Sequence, residues 1–568
     1  MMHGGKPMKA SEKFTDLRHF DTDPRVRHYL RPTRIMRTTG EVLRAEDLLI
    51  EKAGQVGLDR PLSVELKNSG GEHASVLLDF GREIHGSIRI LIQTCNPARV
   101  RVRLRFGESV SEAITPTPEK GSTNDHTGRD YEVVLSALGY YDTSETGFRF
   151  VNIELAEDHA ALNLKTVEGV LTIRDVPYLG SFECSDPLLN KIYDTAAYTA
   201  HLNMQEYLWD GIKRDRLVWI GDMYPEVLTI CSVFGANDVM PRSLDFSRDI
   251  TPIGEWRMFL PSYSLWWIMC HHDYYLQNGD LAYLRCQYEY LRGLIYELGR
   301  FIGEDGREDS PNQFLDWPTK ADTAATHAGI QGLYGMAMDA AAYLFDQLGD
   351  DQCAAFCREK RALLEKHIPE TDRKQSATLL SLSGIGDAAG IDRDVISVKG
   401  GYGYSTFFSY FILAARAKAG KTAEALDDLR QYYGAMLQLG ATTFWEDFNL
   451  EWIDEAGGWE GIAGIDDFVP EGKKDIHGDY GAYCYIGLRH SLCHGWSSGP
   501  APFLARHVLG VKILEAGCRK LEISPNLCGL DYVKGTYPTP FGIVSIYADK
   551  NGVTVDAPDE ITIMQSVQ

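Results

Sequence analysis

No run of about 18 apolar residues, the length a membrane-spanning helix needs, occurs in the 568-residue sequence. The longest aromatic-rich stretch, Ser262–Cys270, passes straight into His271, His272 and Asp273. Basic clusters are missing too. With a formal net charge of -23, the chain repels nucleic-acid phosphates and anionic lipid head groups, so neither is expected as a partner. The 11 cysteines form no Cys-x-x-Cys pair and no Cys/His ligand spacing, which argues against a structural zinc site. Cys353 and Cys357 fit one face of a helix. Free thiols suit a reducing compartment. The first twenty residues, MMHGGKPMKASEKFTDLRHF, contain no apolar core or cleavage pattern. A cytoplasmic location is therefore expected, or a periplasmic one if a leader has been removed.

Several chemistries lack their motifs. There is no HExxH and no GxxxxGK[ST]. One G-x-S-x-G string, Gly495 to Gly499, centres on Ser497. A nucleophile elbow needs a strand before the serine and a helix after it. Here a helical stretch is expected before it and Pro500 follows. Gly400-Gly401-Tyr402-Gly403 has no strand–loop–helix context for a nucleotide. His271 and His272 are adjacent and point apart on a helix, a poor start for a shared metal.

What is present reads as three regions. Ser75–Asp79, Gly86–Gln93, Ala98–Phe106, Phe148–Leu155 and Val167–Ile173 are short Val/Ile/Leu/Arg-rich runs separated by turn signals. In VRVRLRF the alternation of apolar and charged residues is that of a half-buried strand. A β-sandwich over residues 1–178 is expected. The character changes at Ser185-Asp186-Pro187, an N-cap followed by a first-turn proline. Helical spacing dominates from there to about 505, as in Asp280–Phe301, His327–Leu348, Asp351–His367, Ser405–Ala419 and Thr422–Leu439. Long helices with elaborate Gly-, Trp- and Asp-rich loops suggest hairpins closed into a ring over residues 179–505. Short turn-separated strands, from Lys512–Glu515 to Gly552–Asp556, return over residues 506–568 and suggest a small C-terminal β-sandwich.

The densest chemistry lies in LWDGIKRDRLVWIGDMYPE, Leu208 to Glu226. It holds Asp210, Lys213, Arg214, Asp215, Arg216, Trp219, Asp222 and Glu226 in 17 positions. Close carboxylates push one another's pKa apart, which lets one stay protonated as a general acid; a loop of local ion pairs reads equally well. In GATTFWEDFNLEW, Glu446 sits among aromatics, where desolvation suits a base, although a surface acid is the commoner meaning of such a residue. His494 in RHSLCHGWSSGP could meet a sugar hydroxyl or be an ordinary structural histidine at a helix-to-loop junction. Asp316 and Trp317 in FLDWPTK form a sugar platform or a plain turn. Trp256, Trp266 and Trp267 share that ambiguity.

Taken in order, these segments resemble the α-L-rhamnosidases of glycoside hydrolase family 78. The acid-rich family motif D-x-x-x-R-[DE]-R-x-x-W-x-G-D is filled in register by Asp210, Arg214, Asp215, Arg216, Trp219, Gly221 and Asp222. Gly440–Glu446 matches G-A-T-T-x-W-E, and Ser491–His494 matches S-L-x-H. Leu78–Ile90 and Gly147–Leu155 resemble the strands that precede the family's barrel. The resemblance implies an (α/α)6-barrel catalytic domain flanked by β-sandwich domains. It implies exo-acting hydrolysis of terminal α-L-rhamnosides with inversion, without metal or cofactor. Asp215 takes the general-acid position and Glu446 the general-base position. Asp210, Arg214, Trp219, Asp222, Trp317 and His494 shape the sugar subsite. The partner expected is a rhamnose-containing glycoside or oligosaccharide, and a homodimer is one option.

One departure stands out: the family's acid is usually Glu. Asp is shorter by one C–C bond, ~1.5 Å, and misplacement on that scale costs about a hundredfold in rate. Either the backbone moves inward, or a neighbour such as Glu226 supplies the proton, or activity is weak. Another glycosidase or a lyase on the same scaffold, and a non-catalytic rhamnose-binding protein, are the rival readings.

Overall fold

The computed structural model describes residues 23–58 and 63–565; the N-terminal segment examined for a leader lies outside them. Ten strands between Arg25 and Arg174 form one antiparallel sheet that wraps a core of its own. Its spine is the 22-residue strand Ser75–Asn96. This strand pairs with Thr146–Leu155 and Ala161–Arg174, and its register shifts between Asp79 and Ile84. Such a bulge bends a strand, which is why the sequence pattern breaks there into two apparent strands. Arg99–Gly107 leaves Arg99 and Arg101 exposed and buries its valines, as its alternation requires, while Arg105 on the outer face is buried.

The helical region is a double ring. Met223–Val233, Pro261–Asn278, Thr323–Leu348, Lys374–Ser383, Ser409–Lys418 and Pro500–Phe503 pack in that order, each on the next, and the last returns to the first. These inner helices are apolar nearly all round; every residue of Met223–Val233 is buried. A helix with that pattern belongs inside. The outer helices Leu281–Gly299, Asp351–Leu364 and Thr422–Gln438 bury one face only. Their starts follow local signals: Asp186 accepts from the Leu188 N–H at 2.9 Å with Pro187 as first residue, and Asp280 and Asp350 cap in the same way. Among the described residues no helix is long and apolar enough to cross a membrane.

Two short sheets complete the chain, one of four strands and one of three. The four-stranded sheet takes Ser181–Cys184 as its edge, paired with Tyr532–Thr539. The segment just after position 178 therefore belongs with the C-terminal strands and not with the helices. The strands' buried side chains, such as Leu521, Val533 and Val544, are continuous with the core of the ring.

Candidate active site

Four connections that lead from an outer to an inner helix gather at one end of the ring: 204–222, 250–260, 300–322 and 439–499. They enclose a cavity of about 380 Å³. Asp210, Arg214, Asp215, Trp219, Asp222, Trp317, Glu446 and His494 all line it. Since every one of these connections runs into the start of an inner helix, the cavity lies at helix N-termini, whose dipoles favour negative charge.

Arg214 is the centre of the polar wall. Its Nη1 donates to Asp215 Oδ1 at 3.0 Å, and its Nη2 donates to Glu446 Oε1. Burial works against the guanidinium charge, but Glu446 and Asp215 more than restore it. Glu446 is also held from behind, its Oε2 accepting from the Ser491 N–H at 3.0 Å and its N–H donating to the Ser491 carbonyl at 2.9 Å. Burial raises the Glu446 pKa, and Arg214 and the Ser491 N–H pull back against it.

Asp210 and Asp222 line the same cavity. Asp210 Oδ1 accepts from the Leu217 N–H at 2.9 Å, and Asp222 Oδ1 accepts from the Tyr263 hydroxyl at 3.2 Å. Both carboxyls are pushed well above the usual range, chiefly by burial, to which Asp215 and then Asp222 add at Asp210, and Glu446 and Asp215 add at Asp222 against the Tyr263 hydrogen bond. His494 Nε2 stands 3.8 Å from Asp210, 3.9 Å from Glu446 and 4.0 Å from Asp222. Burial and Arg214 drive its pKa far down. Those separations exceed a hydrogen bond and suit a ligand hydroxyl between the groups. Trp219 Nε1 and His494 Nδ1 have no hydrogen-bond partner among the described residues.

Met258, Leu260, Tyr263, Phe314 and Trp317 form an apolar part of the remaining lining, with Asn312, Gln313 and Lys320 beside it. Trp317 is stacked on Tyr483 at 5.5 Å, and the Lys320 ammonium lies 4.5 Å from its ring centre. Asp316 does not line the cavity. It caps the turn at Trp317 and accepts from Ser405, and burial pushes it up to about 6.

Gly221 of the acid-rich motif has a steric reason, because a Cβ there would come within 2.3 Å of the Tyr263 ring. Asp215 and Arg216 have φ of 56° and 52°. Asp tolerates this left-handed region better than Glu does, which gives the shorter residue a local rationale. Oδ1 of Asp215 also meets His126 Nε2, from the N-terminal domain, at 3.3 Å. Glu226 is fully buried behind Gly495, where a Cβ would come within 2.1 Å of its carboxyl, and it does not line the cavity. A stand-in for Asp215 from Glu226 is thereby disfavoured.

Other sequence expectations resolve differently. Trp266 and Trp267 are completely buried core, and the residue of that helix that reaches the cavity is Tyr263. The junction at His494 runs the other way from the one expected: irregular chain precedes it and helix Pro500–Phe503 follows. Ser497 is buried and donates to the Trp445 carbonyl, which leaves it no role as a nucleophile. Tyr263, Tyr485, Met258 and Leu260 gave no sequence signal, since single apolar residues in a helix or loop look like any other packing.

Residues 177–357 match the bacterial α-L-rhamnosidase six-hairpin glycosidase domain. An α-L-rhamnosidase of Formosa agariphila is 22% identical over 87% of this chain and 55% of its own length. The chain thus spans about half of that curated relative. The family 78 rhamnosidase of Bacillus sp. GL1 superposes with a TM-score of 0.73 at 22% identity, over 90% of this chain and 55% of that one. A rhamnosidase from Klebsiella oxytoca with rhamnose bound superposes at 0.63 with 21% identity, over 85% of this chain and 96% of that one.

Proposed function

We propose that this chain, whose residues 177–357 match the bacterial α-L-rhamnosidase six-hairpin domain and whose motifs resemble those of glycoside hydrolase family 78, hydrolyses terminal α-L-rhamnosides with inversion. The observation that carries this reading is a single cavity lined by all eight residues expected at the acid, base and sugar positions, with Arg214 joining Asp215 to Glu446. Asp215 donates a proton to the leaving oxygen. Glu446 removes one from a water attacking the anomeric carbon from the other face. An inverting pair needs room for that water, with carboxyls roughly 6.5–9.5 Å apart. Asp215 and Glu446 meet through the Arg214 guanidinium and not directly.

Asp210, Asp222, Arg214 and His494 bind the ring hydroxyls. Burial raises the pKa of both Asp210 and Asp222, and a carboxyl that holds its proton donates as well as accepts, which suits a polyol. The C5 methyl of rhamnose faces the aromatic rings of Tyr263, Phe314 and Trp317, which suit a methyl better than a primary hydroxyl. The test is a panel of aryl glycosides. Release from the α-L-rhamnoside at least a hundredfold faster than from α-L-mannoside, which carries that hydroxyl, supports the reading. Equal rates, or none, refute it.

A further inference from the structure

Behind the polar wall of the cavity lies a second set of charges that touches no ligand space. Lys213, the residue before Arg214, is completely buried, with its ammonium 2.9 Å from Glu112 and 3.4 Å from Glu108. Both glutamates belong to the N-terminal β domain. The same ammonium donates to the carbonyls of Leu488 at 2.7 Å and His490 at 2.6 Å. Glu108 in turn accepts from the Leu492 N–H at 2.7 Å and the Ser491 hydroxyl at 3.3 Å. Ser491 is the residue whose N–H holds Glu446.

One line of contacts therefore runs from Asp215 through Arg214 and Lys213 to Glu108, and on through Ser491 to Glu446. Glu108, Glu112 and His477 also have the mutual spacing of a cation site, and the Lys213 ammonium stands beside both carboxylates. Burial alone would raise Glu112; Arg129 and Lys213 outweigh it and hold it down to about 2. Burial pushes Glu108 up to about 7 against the pull of Lys213. Removing one member of such a buried set leaves its partners unpaired.

We propose that Glu108 and Lys213 form an interdomain clamp that sets the spacing between Asp215 and Glu446, so that the N-terminal β domain is part of the catalytic apparatus. The proposal rests on the acid and base roles given above. The loop bearing Asp215 has two consecutive left-handed residues, a conformation that persists only when its surroundings impose it. Arg216 adds a second tie, donating to the Glu145 carbonyl of the same domain at 3.1 Å. Lys213 and Glu108 are positioning residues: neither lines the cavity.

The experiment compares the full-length wild type with Glu108→Gln, Lys213→Met and Lys213→Arg on an aryl α-L-rhamnoside, with L-rhamnose as product inhibitor and melting temperature as a control. A displacement of about 1 Å at the acid or base lowers kcat roughly a hundredfold. Glu108→Gln and Lys213→Met are expected to show that loss, with KM and rhamnose inhibition within about threefold, and Lys213→Arg to recover part of it. A folded Glu108→Gln protein with kcat within about threefold of wild type overturns the clamp. So does a loss carried entirely by KM. If Lys213→Met does not fold, Glu108→Gln and Ser491→Ala decide by the same criteria. An inactive wild type overturns the functional reading and the clamp together, whereas active wild type with equally active variants overturns the clamp alone.

Discussion

Replacing Glu446 by glutamine keeps shape and removes one proton acceptor, so its effect can be worked from the site. The two carboxylate oxygens face two donors, Arg214 Nη2 and the Ser491 N–H. An amide placed there must turn its NH2 toward one of them. Either orientation sets donor against donor and costs about 1–3 kcal/mol of stability. Arg214 keeps its contact with Asp215 at 3.0 Å, so the guanidinium is not left without a counter-charge and the fold survives. The kinetic effect is larger. A general base contributes about 10²–10⁴ in rate, roughly 3–5 kcal/mol of barrier, and glutamine has no proton affinity with which to replace it. The expected result is a kcat at least a hundredfold lower with rhamnose affinity within about threefold, because Asp210, Asp222 and His494 are untouched. Steady-state kinetics on an aryl α-L-rhamnoside and rhamnose titration by tryptophan fluorescence measure both. A folded variant that keeps more than about a tenth of wild-type kcat refutes the assignment of Glu446 as base.

Three further outcomes are expected. Asp215→Asn slows cleavage of an alkyl rhamnoside, whose leaving oxygen needs a proton, at least tenfold more than cleavage of a nitrophenyl rhamnoside, whose leaving group does not; equal losses would remove Asp215 from the acid role. Trp317→Ala raises KM about tenfold, the ~1.4 kcal/mol of one aromatic contact, with kcat little changed, and a change confined to kcat would contradict the platform role. Asp447 is pushed up to about 7 by burial first and then by Asp316 and Glu446. Its folded pKa is raised, so its contribution to stability is full below the unfolded value and is lost as pH rises toward 7. Between about pH 4 and 7 the wild type therefore loses up to ~1.4 kcal/mol per pH unit through this group, and the denaturation profile of Asp447→Asn should be shallower by that amount over that window only.

How much of this was legible in the sequence depended on how local the cause was. Helices with a capping aspartate, such as those at Asp186, Asp280 and Asp350, announced their starts to within a residue or so. Core strands with clean alternation, such as Arg99–Gly107, did the same. Arg25–Leu30 and Arg34–Thr39 were invisible because their charged and exposed side chains carry no apolar pattern. Ser181–Cys184 finds its partner strand about 350 positions away, and no local signal can report that. The site divides in the same way. Asp210, Arg214, Asp215, Trp219, Asp222 and Glu446 sit in dense motifs and were readable. The groups that orient them were not: Tyr263 on Asp222, Ser491 on Glu446, and Glu108 and Glu112 on Lys213 all act across long separations in the chain. A bland glutamate in a β domain becomes informative only when the fold places it against a buried lysine.

The most direct test of the account follows the anomer released from an aryl α-L-rhamnoside by proton NMR in the first minutes of reaction. Single displacement with Glu446 activating water predicts β-L-rhamnose first, with the α anomer growing in only by mutarotation. Initial release of α-L-rhamnose would mean that a carboxylate attacks the sugar directly, and the acid–base pair described here would be wrong.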